Sequence, residues 1–305
     1  MTTSGRPGLS IAAVERDTGL GKDTLRVWER RYGFPQPHRN ERGERLYPPD
    51  QVDKLRLVKR LLDHGHRPGK LLGADAAELS RLLRAGAPAF RDVCAAQPML
   101  ALLDVERAEE LRSALGKSLA RHGLQRFVSD VLAPLDETVE EAWWRGDIGV
   151  CQEHLYAELA QNLLRTAIAA IPAGTRPRVL LTTLPGEGHG LGLLMTQALL
   201  ASEGAYCLSL GPQTPATDLW AAARTGRVDV VALSFSDAHP LRRTQEDLAE
   251  VRAGLDAEVE LWALGRSLAA WRRPPPGTRL IGDAGGVLEA LRAWRVREQV
   301  PEGGR

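Results

Sequence analysis

VLLTTLPGEGHGLG, residues 179–192, decides how the C-terminal part of this 305-residue chain folds. Val179–Thr183 is a short apolar, partly β-branched run of the kind that forms a buried strand. Leu184–Gly192 then supplies one proline, four glycines, Glu187 and His189, a turn at a strand's carboxyl end. The pattern recurs downstream. Candidate strands at 178–183, 205–210, 228–233, 258–263 and 278–281 are each followed by a segment of helix length, which predicts a parallel sheet covered on both faces. Ligands of such sheets bind beyond the carboxyl ends of the strands, where His189 falls. The turn is no dinucleotide loop: GxGxxG is out of register, and no acidic residue ends the second strand at Ser209-Leu210-Gly211. It also lacks the GK[ST] of a nucleotide P-loop.

Working outward, a composition of 43% apolar and 26% charged residues is that of a globular protein. No run approaches the roughly 18–20 apolar residues of a membrane span, and MTTSGRPG has no signal-peptide core, so a cytoplasmic location is expected, without membrane partners. Cys94, Cys151 and Cys207 lie far apart, which speaks against a disulfide framework or a zinc knuckle. The net charge of +1 hides an asymmetry: residues 1–70 hold 15 Lys/Arg against 9 Asp/Glu, and the other 235 residues sum to −5. A basic head facing phosphates, joined to a body with another task, is the expectation.

That head carries two short helical patterns. Leu9, Ile11, Ala12 and Val14 form one apolar face, Gly19-Leu20-Gly21 is a turn, and Leu25, Val27 and Trp28 begin a second helix that Asp23 or Thr24 helps start. This is the outline of a helix-turn-helix, with Lys22, Thr24 and Arg26 placed to reach bases or phosphates, and Arg30 and Arg31 farther along for phosphates. A hairpin-like wing follows, with Arg39, Arg42, Arg45 and Tyr47. The middle segment is helical, with breaks near Gly86-Ala87-Pro88, Gln97-Pro98, His122-Gly123 and Gly146–Gly149. Its clearest stripe is Leu124, Phe127, Val128, Val131, Leu132, Leu135, Val139 and Trp143, the inner face of a four-helix bundle. Trp143 reads by default as core. Glu153-His154, opening the next helix, suits a solvated first turn or a polar pocket.

Three stretches carry resemblances. TLRVWERRYG (24–33), the following wing and the helix opening at Pro49-Asp50 resemble the DNA-binding domain of MerR-type regulators over residues 8–72. Glu187-x-His189-x-x-Gly192 resembles the Asp-x-His-x-x-Gly signature of cobalamin-binding domains, with Glu in place of Asp. Trp143, nine residues, then Glu153-His154 resembles the signature of the CarH/LitR light-dependent repressors. Together they imply a multidomain α plus α/β protein: a MerR-type winged helix-turn-helix (1–75), a four-helix bundle capping the cofactor (76–174) and a Rossmann-like (flavodoxin-like) cobalamin-binding domain (175–305).

The resemblance implies a repressor on double-stranded operator DNA, a homo-oligomer (dimer or tetramer) controlled by adenosylcobalamin and light, and not an enzyme. It makes His189 the lower cobalt ligand, oriented by Glu187. Gly192, Ser234, Ser236 and Gly265 then lie along the cofactor, and Trp143, Glu153 and His154 near its adenosyl group. The chain departs from the pattern in three places. Gly65, Pro68, Gly69 and Gly73 interrupt the usual coiled-coil helix; Leu264 stands where a glycine lets the nucleotide tail pass; Trp144 stands where the second histidine of a bis-histidine light state falls. Leu264 and Trp144 keep open a sensor of another tetrapyrrole or of a non-adenosyl cobalamin, and the bundle with its α/β module keeps open a methyltransferase corrinoid carrier. His239, near the third strand's end, is expected to be an exposed loop residue.

Overall fold

The structure is a computed structural model that describes residues 8–40, 43–63, 66–75, 78–79, 81–82, 97–236, 239, 241–271 and 274–299. The chain divides into two compact units, Met1–Ala89 with Trp144–Asp147, and Phe90–Trp143 with Ile148–Arg305.

In the first unit, β1 (Leu9–Ser10), α1 (Ile11–Thr18), α2 (Lys22–Tyr32), β2 (His38–Arg39), β3 (Arg45–Tyr47), α3 (Pro49–Asp63) and α4 (Pro68–Leu71) follow in order. The Ser10 hydroxyl accepts a hydrogen bond from Ala13 N at 3.3 Å and caps α1, which starts at Ile11, two residues after Leu9. Leu9, expected on the helix's apolar face, instead pairs antiparallel with Tyr47. Gly19, at φ 69°, closes α1 in the left-handed conformation that glycine adopts freely. Gly21, rather than Asp23 or Thr24, precedes the first turn of α2. The wing is the β2–β3 antiparallel pair; Arg42 and its neighbour lie outside the described residues. Val14, Leu25, Trp28, Tyr47, Val52, Leu55, Val58 and Leu61 are buried. The helix after the wing is described as far as Asp63, Gly65 lies outside the described residues, and the next helix, opened by Pro68, has only four residues.

The helical part of the second unit comprises α5 (Gln97–Leu100), α6 (Ala108–His122), the rod α7 and α8 (Val150–Ala169). Rod α7 joins Leu124–Arg126, a π-helical stretch Phe127–Leu132 and Ala133–Arg145. The apolar spacing does not reveal the π turn, because residues three and four apart face inward in either geometry. Gln97-Pro98, expected as a break, stands at the first described residues of α5, where a proline lacks only a donor that has no partner in a first turn. The Gly86-Ala87-Pro88 break and Cys94 lie outside the described residues.

The sheet is parallel throughout, with β4 (Arg178–Thr182), β5 (Tyr206–Gly211), β6 (Val230–Ser234), β7 (Glu260–Leu264) and β8 (Thr278–Ile281) in the order β5-β4-β6-β7-β8. Connecting helices are α9 (Leu191–Ser202), α10 (Ala216–Gly226) and α11 (Leu241–Gly254), and α12 (Ala284–Gln299) follows β8. All five strands fall within two residues of the expected bounds. Strand parity divides the core in two. Val179, Leu181, Val230, Ala232, Trp262 and Leu264 point to one face, with Leu191, Leu194 and Ala198 of α9 and Val287 and Leu291 of α12. Leu180, Val231, Leu233, Leu261 and Ala263 point to the other, with Leu219 and Leu248. The first core continues through Leu111, Leu115, Phe127, Leu132, Tyr156 and Leu164, so helices and sheet share one interior.

Phe127 is fully buried in that shared core. Phe127→Ala is expected to lower unfolding free energy by about 3–5 kcal/mol in urea titrations. The loss should register equally in helical signal and in tryptophan fluorescence, to which Trp220 and Trp262 of the sheet region contribute among the chain's seven tryptophans.

Candidate functional site

The strand order reverses between β4 and β6, which opens a crevice at their carboxyl ends. The turn after β4 and the loop after β6 meet there through one carboxylate. Glu187 is 2% exposed. Its Oε1 accepts hydrogen bonds from His189 N and Nδ1, both at 2.8 Å. Its Oε2 accepts from Ser236 N at 2.8 Å and Ser236 Oγ at 2.7 Å. Burial pushes the Glu187 carboxyl up, but the bonds and charge of His189, with Ser236, outweigh it and hold the group at about 2. The hydrogen bond that the ring donates to Glu187 conversely raises His189 to about 9. With Nδ1 committed to Glu187, Nε2 is the nitrogen that gives up its proton when the ring becomes neutral or takes a metal, and it makes no hydrogen bond among the described residues. The His189 side chain is 61% exposed, so this atom is open to a ligand.

Neighbouring groups brace the turn. The Thr183 hydroxyl donates to Glu187 O at 2.6 Å. Arg243 of α11 donates to Pro185 O at 3.0 Å, and its guanidinium lies against Gly186, whose φ of 96° suits glycine. His239 is not an exposed loop residue. It is buried, 3.3 Å from Asp247 of α11 and tilted against Phe235.

Acidic residues of the helical part sit close enough to His189 for Glu153 and Glu140 to raise its affinity for a proton. Burial drives the Asp136 carboxyl up to about 6 against the pull of Arg266, and burial beside Asp136 raises the Tyr156 hydroxyl well above its usual range. Arg266, directly after Gly265, pairs with Glu137 at 3.4 Å and with Glu140, tying the end of β7 to rod α7. Trp143 is half-buried against the shared core. Ser234 ends β6, its Oγ 3.1 Å from where a Cβ on Gly192 would stand. Gly265 cannot carry a Cβ, which would meet Phe235 O at 2.6 Å. Leu264 is buried in the core facing α9 and α12. His154 stands apart from the His189 group: it is 74% exposed, lines a surface cleft with Val105 and Cys151, and lies 3.5 Å from Glu153, whose charge acts on His189.

In the first unit, Arg26, Arg30, Arg31 and Arg39 are exposed and Lys22 and Thr24 partly so. Lys22 pairs with Glu15 at 3.2 Å, Arg26 with Asp23 at 3.0 Å, and Arg39 donates to Gly43 O at 2.9 Å. Arg45 is held by Glu29 at 2.8 Å, which fastens the wing to α2. Tyr47 does not reach the surface. It is fully buried, because its short strand packs against α1.

Residues 9–71 match the MerR HTH family of regulatory proteins. The chain is 30% identical to the HTH-type transcriptional repressor CarH of Myxococcus xanthus over 255 residues, 81% of this chain and 85% of that protein. It is 32% identical to the repressor CarA of the same organism, over 80% of each. The chain belongs to the CarH and CarA family of transcriptional repressors. This CarH-type chain also shares a fold with the monomethylamine corrinoid protein of Methanosarcina barkeri. There the TM-score is 0.51 and the identity 13%, over 64% of this chain and 95% of that one. Asp136, Tyr156, Glu140 and Arg266 escaped sequence reading. The acids and the tyrosine are ordinary helix residues in one dimension, and Arg266 was marked only by its place after Gly265.

Two titrations follow. The His189 contribution to stability is complete below its ordinary value of 6.5 and disappears as pH rises through about 9. That of Glu187 is present above 4.5 and disappears as pH falls through about 2. The stability lost in Glu187→Gln should therefore be greatest between pH 4.5 and 6.5 and shrink on either side, as read by thermal melts across pH. Asp136 behaves oppositely, since a carboxyl raised to about 6 opposes folding once ionised. The penalty sets in as pH rises through 3.8 and is complete above about 6, so Asp136→Asn should raise Tm on the order of 2–4 °C at pH 7.5 and leave it unchanged at pH 3.

Proposed function

We propose that this CarH-family repressor binds cobalamin at His189, in its adenosyl form, and couples the state of that site to its grip on operator DNA. The observation that carries the reading is the His189 Nε2 atom, left open at the switch point by a buried carboxylate that occupies Nδ1. Imidazole is a good transition-metal ligand, and a carboxylate is its usual supporting partner. The described residues contain no group of three His, Cys, Asp or Glu side chains able to hold a metal ion. A metal on His189 would bring most of its own ligands, as a corrinoid cobalt does. Gly190 has open space where a side chain would stand, and only Gln213 lies near Gly188, so a flat macrocycle can approach the backbone. The residues fit the group.

In this reading His189 ligates through Nε2 and Glu187 holds the ring. Gly192, Ser234, Ser236 and Gly265 line the lower side, with Leu264 in place of glycine making a tighter slot for a nucleotide tail. Trp143 and Glu153 close the upper side, with His154 acting through Glu153. A bound alkylcobalamin would supply a cobalt–carbon bond that visible light cleaves. Rod α7 and helix α8, which carry the upper residues, respond to what fills that side, and Trp144 leaves this chain without a histidine next to Trp143. With α4 only four residues long, assembly into a dimer or tetramer rests on the second unit. On DNA, α2 enters the major groove with Lys22, Thr24 and Arg26, while Arg30, Arg31 and Arg39 meet phosphates and Arg45 holds the wing to α2.

Gel filtration and operator gel shifts, with and without adenosylcobalamin, dark and under green light, test this. Dark cofactor should enlarge the oligomer and tighten DNA binding, and light should reverse both; identical behaviour in all four conditions sinks the reading. His189→Ala should change the bound cofactor's absorbance and weaken cofactor binding, and Glu187→Gln should weaken it by about 10–100-fold.

A further inference from the structure

Two non-glycine residues among those described have positive φ, Gln213 at 64° and Arg227 at 47°. Arg227 caps the carboxyl end of α10, a common place for the left-handed conformation. Gln213 is at no helix end. It lies between β5 and α10, in a conformation that residues with a Cβ enter only at a cost. The surroundings enforce it: Gln213 N donates to Thr183 Oγ1 at 2.9 Å, and Thr214 N donates to Thr183 O at 2.9 Å. The Thr182 and Thr214 hydroxyls lie 2.7 Å apart and lock the same corner.

Thr183 also donates to Glu187 O, so one hydroxyl links the backbone of Gln213 to that of the histidine turn. The Gln213 carboxamide ends beside that turn. Its Nε2 is 3.6 Å from where a Cβ on Gly188 would stand, between Glu187 and His189 in sequence. The residue is exposed, and its side chain makes no hydrogen bond among the described residues. The strain therefore serves no internal contact of this side chain. A glycine would take the same backbone shape freely.

We propose that Gln213 is a ligand-binding residue of the His189 site, recognising a primary amide on the rim of the macrocycle. The inference rests on the corrinoid reading above. A carboxamide both donates and accepts, and so pairs with an amide through complementary bonds. Corrinoids carry acetamide and propionamide arms around the ring, whereas porphyrin-type rings carry carboxylates, which a guanidinium or ammonium would match better. Gln213 thus selects amide-fringed rings as well as holding them.

Gln213→Gly in the full-length protein separates ligand binding from a structural role, because the two predict opposite signs. Expected is a higher Tm of the cofactor-free protein, from released strain, with a five- to tenfold weaker Kd for hydroxocobalamin in spectral titration. Gln213→Ala should weaken binding equally without raising Tm. Wild-type affinity in both variants, or a lower Tm of Gln213→Gly together with weaker binding, would overturn the proposal. Should the wild-type protein not bind hydroxocobalamin at all, the corrinoid reading itself fails, and this inference with it.

Discussion

A carboxylate taken out of water must find partners or a proton, and Glu187 finds four hydrogen-bond donors at the one place where the sheet reverses direction. Two come from its own turn after β4, and two from Ser236 after β6. One side chain therefore closes the crevice, fixes the loops on either side and sets which imidazole nitrogen of His189 stays open. Thr183 and Arg243 hold the same turn from behind, so its geometry is over-determined by groups that never reach the ligand side. A glycine-rich turn with that much support is rigid where its composition suggests freedom, which is what a ligand-positioning atom needs.

The same crevice lies beneath the helical part of the second unit, and the two are not separable pieces. Phe127, Leu132 and Tyr156 belong to one core with Val179, Trp262 and Leu291. Arg266 adds a charged tie from the end of β7 to Glu137 and Glu140. Asp136 and Tyr156 are polar groups held close to this junction at an electrostatic cost, since burial opposes ionisation of both. Such cost is typical of surfaces shaped for something other than stability.

Much of the architecture was legible because it rests on local rules. Strand runs such as Val230–Ser234 announce themselves by composition, and the breaks at His122-Gly123 and Gly146–Gly149 by glycine. The misreadings came where a long-range partner decides. Leu9 left the first helix because β3 offered it a strand pairing; Tyr47 went inward because its three-residue strand packs on α1; His239 was buried by Asp247, eight residues on. His154 and Glu153 are neighbours in sequence but diverge on a helix, one outward to a cleft and one toward His189.

Alone, the sequence determined the element types, the basic head, the parallel alternation and the glutamate-histidine pair in its turn, since each depends on composition or spacing within a few residues. Tertiary structure alone decided that Glu187 is buried, that Ser236 from the loop after the neighbouring strand β6 completes its set of partners, and that Asp136, Glu140 and Glu153 gather near His189. It also decided that Gln213 is held in a left-handed conformation beside Gly188. Strand order and helix docking create these juxtapositions, and the energies of buried charge and forced backbone exist only once both sides have met.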